Sequence, residues 1–240
     1  MDIKQIDRLQ HLIDESNYVV FFGGAGVSTE SNIPDFRSDT GLYNQKFDIP
    51  PERILSHSFF MQHPDKYFDF HETRMTYLDA IPNAAHIKLA QMEQAGKLKA
   101  VITQNIDNLH QKAGSKNVIE LHGSAFRNYC MKCRKYYDVD YIVSSKGVPR
   151  CECGGIVKPD VVLFEEALDQ NTVEKAIAFL RQADLLIVGG TSLAVYPAAG
   201  LIEYTKAKIV LINKTATRFD NCAELVIYDS IGDTLSGIKI

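Results

Sequence analysis

The chain has 240 residues, 45% of them hydrophobic and 23% charged, with a net charge of -4 at neutral pH. That balance fits a soluble globular fold of one large domain, and it excludes a general electrostatic pull toward nucleic acid or anionic membrane. No run approaches the roughly 18 apolar residues of a spanning helix, and Met1-Asp2-Ile3-Lys4-Gln5 opens no signal peptide. The expectation is a cytoplasmic, monomeric protein without membrane or direct nucleic-acid partners. Five cysteines in such a protein point to metal or catalysis before disulfides.

In chain order, Ile3, Ile6, Leu9 and Ile13 mark an N-terminal helix. Tyr18–Phe22 reads as a buried parallel strand, aromatic and β-branched without alternation. It breaks into Gly23-Gly24-Ala25-Gly26, where the backbone can turn tightly and face N–H groups to a phosphate. The third glycine of a dinucleotide fingerprint is missing, with Thr29 in its place, so a plain glycine turn stays open. Pro34-Asp35-Phe36-Arg37 then brings an acid, a ring and a cation on a stiff loop suited to covering a cofactor.

Residues 38–82 are partly helical and rich in aromatics (Tyr43, Phe47, Phe59, Phe60, Tyr67, Phe68, Phe70, Tyr77), which predicts a helical insertion with its own aromatic core. Further strands are predicted at Ala100–Thr103, Val118–Leu121, Leu185–Val188, Ile209–Ile212 and Leu225–Tyr228, with a helix over Val173, Ala176, Ile177 and Leu180. Strands alternating with helices argue for a Rossmann-like parallel α/β sheet covered on both faces, with a smaller zinc-binding and helical lobe. Ligands gather beyond the carboxyl ends of such strands. Gly24–Arg37, Gln104–His110, His122-Gly123, Gly189–Ser192 and Asn213-Lys214 all fall there.

Cys130-Met131-Lys132-Cys133 and Cys151-Glu152-Cys153 can present four thiolates to one structural zinc ion, although the second pair is one residue tighter than usual. Four free thiols or a redox pair are the alternatives. Cys222 reads as a small buried residue. The expected organisation is one domain, 1–240: a large lobe of about 1–37, 83–124 and 160–240, a helical insertion of about 38–82, and a zinc-binding insertion of about 125–159.

Taken together, Gly24-Ala25-Gly26-Val27-Ser28, Ile33-Pro34-Asp35-Phe36-Arg37, Thr103-Gln104-Asn105-Ile106-Asp107-Asn108-Leu109-His110, Leu121-His122-Gly123, the cysteine pairs and Gly190-Thr191-Ser192-Leu193 resemble the sirtuin family of NAD-dependent protein deacylases, in its bacterial core-enzyme form. The resemblance spans roughly Tyr18 to Ile231. It implies that NAD is the co-substrate and that an acetyl-lysine peptide or protein is deacetylated, releasing nicotinamide and O-acetyl-ADP-ribose.

By the same resemblance, Ile106, Asp107 and Phe36 form the nicotinamide pocket, with Asp107 on the carboxamide. Gln104 and Asn105 hold the nicotinamide ribose and a water. His122 is the general base, drawing a proton through the ribose hydroxyls; a lone histidine reads first as a satisfied core residue, and the Leu-His-Gly context at a strand end reverses that preference. Gly24, Ala25, Gly26, Thr29, Asp35 and Arg37 are assigned to the cofactor loop and phosphates. Gly190, Thr191 and Ser192 face the phosphates, Asn213 the adenine ribose, and Ser230 with Ile231 the adenine. Val162, Leu163 and Phe164 lie in the segment implied to add a strand to the peptide; a buried strand is the alternative. His86 and His110 are expected to steady loops or helix ends.

Three positions depart from the family pattern. Asn32 and Glu165 stand where glycine is usual, and His71 replaces the tyrosine that accompanies Arg74 in relatives acting on acidic acyl groups. Acetyl is therefore the expected substrate group. Two rival functions remain at this stage: a mono-ADP-ribosyltransferase, distinguished by ADP-ribose left on the target, and a non-enzymatic NAD sensor, which would have no use for His122, Asn105 and Asp107.

Overall fold

A computed structural model describes residues 2–240. Helix α1 (Ile3–Glu15) leads into β1 (Val19–Gly23), and the helical insertion follows as α2 (Pro51–Ile54), α3 (His57–Gln62) and α4 (Pro64–Arg74). Next come α5 (Ala84–Gln94), β2 (Leu98–Thr103), α6 (Leu109–Lys112), β3 (Val118–Glu120), β4 (Gly123–Cys130), β5 (Tyr136–Asp138), α7 (Val139–Ser144) and β6 (Val157–Val161). The chain closes through α8 (Gln170–Gln182), β7 (Leu185–Gly189), β8 (Lys208–Ile212), β9 (Leu225–Ile227) and α9 (Ile231–Ser236).

Six strands pair in parallel in the order β3-β2-β1-β7-β8-β9, and each contains most of a run predicted from the sequence. The apolar runs lack alternation because successive side chains enter two different cores. Val19 and Phe21 face α1, α5 and α9, together with Leu9, Leu89 and Leu235. Val20 and Phe22 face α8 and the 198–204 turns, together with Ala176, Leu180 and Leu201. The sheet order reverses direction on either side of β1, which opens a crevice at the carboxyl ends of β1, β2 and β7.

The second sheet is antiparallel, β5-β4-β6, and it begins at Gly123, immediately after His122. Gly123 has φ +74°, and a Cβ there would collide with the Asp160 carbonyl, so only glycine permits this close pairing. The helical insertion does not keep a core to itself. Phe60, Tyr67 and Phe70 share one cluster with Ala125, Cys130, Val157 and Leu163, because three short helices cannot enclose that many rings alone. Cys222 also differs from its sequence reading: it lies exposed in a surface turn, Asp220–Cys222, between β8 and β9. Among the described residues, no helix is long and apolar enough to cross a membrane.

Candidate active site

A cavity of about 770 Å³ lies over the carboxyl ends of the sheet and runs out toward the second sheet. Of the residues singled out in the sequence for cofactor, catalysis or peptide, all but Gly24 and Ser230 line it. Gly24 sits behind its wall, bonded to the Gly189 carbonyl at 3.3 Å. Ser230 instead caps α9, and its hydroxyl donates to Glu30 at 3.0 Å. Ile231, next in the chain, does reach the cavity.

Two loops meet at its floor. The Gly26 N–H donates to the Gly190 carbonyl at 2.8 Å, and Gly190 has φ +59°. A Cβ on Gly190 would strike the Val27 nitrogen. Glycine at both positions lets the backbones touch, leaving a shallow cradle without side chains where phosphates fit. Thr29 turns its hydroxyl back to the Gly26 carbonyl at 3.0 Å. Asn32 adopts φ +61°, a conformation asparagine tolerates, so the loop survives without glycine.

Beside the cradle, the Thr191 N–H donates to Asn213 Oδ1 at 2.9 Å, and Gln104 Nε2 donates to Thr191 Oγ1 at 3.2 Å. Asn213 Nδ2 is buried and unpartnered. An orphaned donor on a cavity wall is costly unless a ligand acceptor meets it, as a ribose hydroxyl would.

Deeper in the cavity, three side chains form a chain that the sequence reading had not joined. Asn105 Nδ2 donates to Ser28 Oγ at 3.0 Å, and Ser28 Oγ donates to Asp107 Oδ2 at 2.6 Å. Asp107 Oδ1 accepts the Leu109 N–H at 3.0 Å. Ser28 is 1% exposed and joins loops 79 residues apart, a link visible only after folding. Asn83 was also missed. Its side-chain amide donates to the Val27 carbonyl at 2.8 Å and to Ser31 Oγ at 3.0 Å, holding the glycine loop from α5. In that capping box His86 Nδ1 accepts the Asn83 N–H, so His86 does steady a helix end.

The covering loop is internally tied. Asp35 Oδ1 accepts N–H groups of Arg37 and Ser38, Phe36 packs on Tyr43 with centroids 5.3 Å apart, and Arg37 lies over the Tyr43 ring.

His122 bonds through Nδ1 to the Gln104 carbonyl at 2.9 Å. A carbonyl only accepts, so Nδ1 carries the proton and Nε2 keeps its lone pair. Burial holds the imidazole below its ordinary pKa, outweighing the Gln104 bond that raises it. The ring is therefore a neutral base of fixed tautomer at physiological pH.

The expected peptide segment differs from a continuous strand. Strand β6 ends at Val161, and Val162–Phe164 run on beyond it, with Phe164 forming an isolated parallel bridge to Ser56. The Val162 N–H donates to the His122 carbonyl at 3.1 Å, while Phe164 bonds Leu55 and His57 through its main chain. Glu165 has φ +74°, and its carboxylate accepts from Ser58 N–H at 2.8 Å and Ser58 Oγ at 3.0 Å. His71 is 1% exposed and turned into the core, whereas Arg74 lines the cavity and stacks over Phe47.

Apart from the cavity, the sulfurs of Cys130, Cys133, Cys151 and Cys153 all lie within 4.8 Å of one another. Cys130–Cys153 and Cys133–Cys151 stand at 3.4 and 3.5 Å, far longer than a disulfide and near the roughly 3.8 Å that four thiolates about 2.3 Å from one zinc would show. The donor set is closed and suits a structural zinc ion.

A model of the Sir2 family matches residues 24–197. An NAD-dependent protein deacetylase of Clostridium acetobutylicum is 58% identical over 241 residues, spanning 98% of either chain. One from Clostridium tetani is 60% identical over 235 residues, spanning 96% of this chain and 95% of its own. Among solved structures, a Sir2 variant with deacetylated p53 peptide and 3'-O-acetyl-ADP-ribose superposes with a TM-score of 0.91 at 38% identity, covering 98% of this chain and all of that one. A Sir2–p53 peptide–NAD+ complex gives a TM-score of 0.86 at 40% identity, covering 98% and 96%. This chain belongs to the Sir2 family, the sirtuins.

Proposed function

We propose that the chain is an NAD-dependent protein-lysine deacetylase that converts an acetyl-lysine peptide and NAD to free lysine, nicotinamide and O-acetyl-ADP-ribose. The observation that carries this reading is the tautomer of His122, a neutral imidazole with Nε2 available in the cavity that also holds Asn105, Asp107 and the Val162–Phe164 edge.

NAD supplies a glycosidic bond whose cleavage leaves an electrophilic sugar carbon. The chain's own groups divide the remaining work. Asp107, oriented by Ser28 and the Leu109 N–H, accepts from the carboxamide in a pocket closed by Ile106 and Phe36. Asn105 and Gln104 hold the adjoining ribose. Ala25, Gly26, Thr29, Arg37, Gly190, Thr191 and Ser192 meet the phosphates, with Asp35 bracing Arg37. Asn213 Nδ2 donates to the adenine-side ribose, and Ile231 packs on the adenine. His122 Nε2 accepts the proton released by a ribose hydroxyl, and the bond from Nδ1–H to Gln104 steadies the imidazolium that results. Val162, Leu163 and Phe164 receive the peptide backbone. One zinc ion on the four cysteines holds the second sheet together without chemistry of its own. A single 1–240 domain acting as a cytoplasmic monomer completes the reading.

The test is mass spectrometry of an acetyl-lysine peptide incubated with the protein, with and without NAD. Loss of the acetyl group in step with nicotinamide release is expected. ADP-ribose attached to the peptide would favour the transferase reading instead.

A further inference from the structure

Beside the peptide-facing segment lies a half-buried ion pair that the reaction above does not use. Lys158 on β6 and Glu166, just past Phe164, have side chains only 15% and 23% exposed, with Nζ and Oε2 3.4 Å apart. Both exposed and buried ion pairs add little net stability, so stability alone is a poor reason to keep this one.

Both partners also bond the main chain of one short segment. Lys158 Nζ donates to the Val161 carbonyl at 2.6 Å. Glu166 Oε2 accepts the Leu163 N–H at 2.8 Å, and the Glu166 N–H donates to the Leu163 carbonyl at 3.0 Å. Between these two residues, the Val162 N–H is held by the carbonyl of His122. The pair thus fixes one edge of Val161–Leu163 while the His122 carbonyl holds the other, which sets the register of the segment against the proposed base. Glu166 Oε1 also bonds His57 Nδ1 at 2.8 Å, anchoring the bracket to the helical insertion. Tyr67 and His71 face the pair from α4. Burial, then Glu166, pushes the Tyr67 hydroxyl up; burial, then Lys158, lowers His71 to about 4. Both rings are therefore neutral near pH 7 and add no charge beside the pair, which also feels Asp160 and Arg134 on the Lys158 side and His57 on the Glu166 side.

We propose that Lys158 and Glu166 are positioning residues for the acylated peptide, bracketing Val161–Leu163 so that bound peptide and His122 stay aligned. This inference rests on the deacetylase reading.

The experiment uses the full zinc-loaded chain and its Glu166→Gln, Lys158→Met and Lys158→Arg variants. Peptide and NAD affinities are read by calorimetry beside kcat, KM and the unfolding midpoint. Losing one charge-assisted bond to the segment should raise the peptide KM and Kd of Glu166→Gln and Lys158→Met about tenfold or more. NAD affinity should stay within about twofold, and Lys158→Arg, which keeps charge and donors, should rescue peptide binding to within about threefold. Should Lys158→Met fail to fold, Glu166→Gln and Lys158→Arg decide the matter. Unchanged peptide affinity, or a parallel loss of NAD and peptide affinity, overturns the positioning role. Failure of the wild-type chain to remove acetyl groups would instead overturn the reaction it rests on.

Discussion

Replacing His122 with alanine removes two separable things. The first is Nε2, the proton acceptor; a positioned general base contributes about 10²- to 10⁴-fold in rate. The second is the Nδ1–H donor to the Gln104 carbonyl, a bond of 2.9 Å in a mostly enclosed site. An acceptor left unpartnered there costs about 1–3 kcal/mol unless water enters. For a chain of this size that corresponds to a fall in Tm of about 2–12 °C. The groups assigned to NAD bond one another through Ser28, Thr191 and Asn213 without using the imidazole, so NAD affinity should be nearly unchanged. The assay is steady-state turnover, followed as acetyl loss and nicotinamide release, beside NAD binding by calorimetry. A kcat loss of at least about 100-fold with intact NAD binding is expected. Turnover within about threefold of wild type, in a folded variant, would refute the role of the imidazole, because no base contribution is that small.

The wild-type pH profile should show its acidic limb below the ordinary histidine range, since burial depresses His122 and the neutral form persists as pH falls; a limb above pH 7 would contradict the assignment. Acid should also loosen the fold. His71 and His86, both buried and lowered to about 4, are neutral when folded and charge more readily when unfolded. Their contribution, about 3 kcal/mol each, is present above pH 6.5 and lost as pH falls toward 4, so the urea midpoint should drop through that window. Cys151→Ala should release the metal, measured by a chromogenic chelator, and lower the unfolding midpoint, with activity lost secondarily; full metal retention would disprove the tetrad. Ser28→Ala strips partners from Asp107 and Asn105 together, and should raise the KM for NAD with little change in peptide affinity. Equal losses for both substrates would point to a general structural role.

The six strands were legible because each enters two cores at once, so its apolar run is continuous and local. The second sheet was less legible, since β4 and β6 carry Ser124, Arg127, Asn128, Lys158 and Asp160 among their apolar residues. The shared core of the helical insertion and second sheet was not legible at all, because neither segment shows which surface the other will cover. Cys222 was misplaced for a related reason: a lone cysteine carries no pattern, and its exposure depends on where a turn sits.

Short motifs in the sequence already singled out the glycine loops, the residues proposed for the nicotinamide side, the histidine and the four cysteines that cluster, because each chemistry requires particular residue types at close spacing. Three features needed the folded chain: the Nδ1 bond of His122 to the Gln104 carbonyl, the relay from Asn105 through Ser28 to Asp107, and the Lys158–Glu166 bracket on Val161–Leu163. The relay joins side chains on loops after different strands, and the histidine bond and the bracket depend on which main-chain groups turn toward a side chain. Chain order does not record those directions; they are set only when the sheets, the insertion and the loops pack against one another.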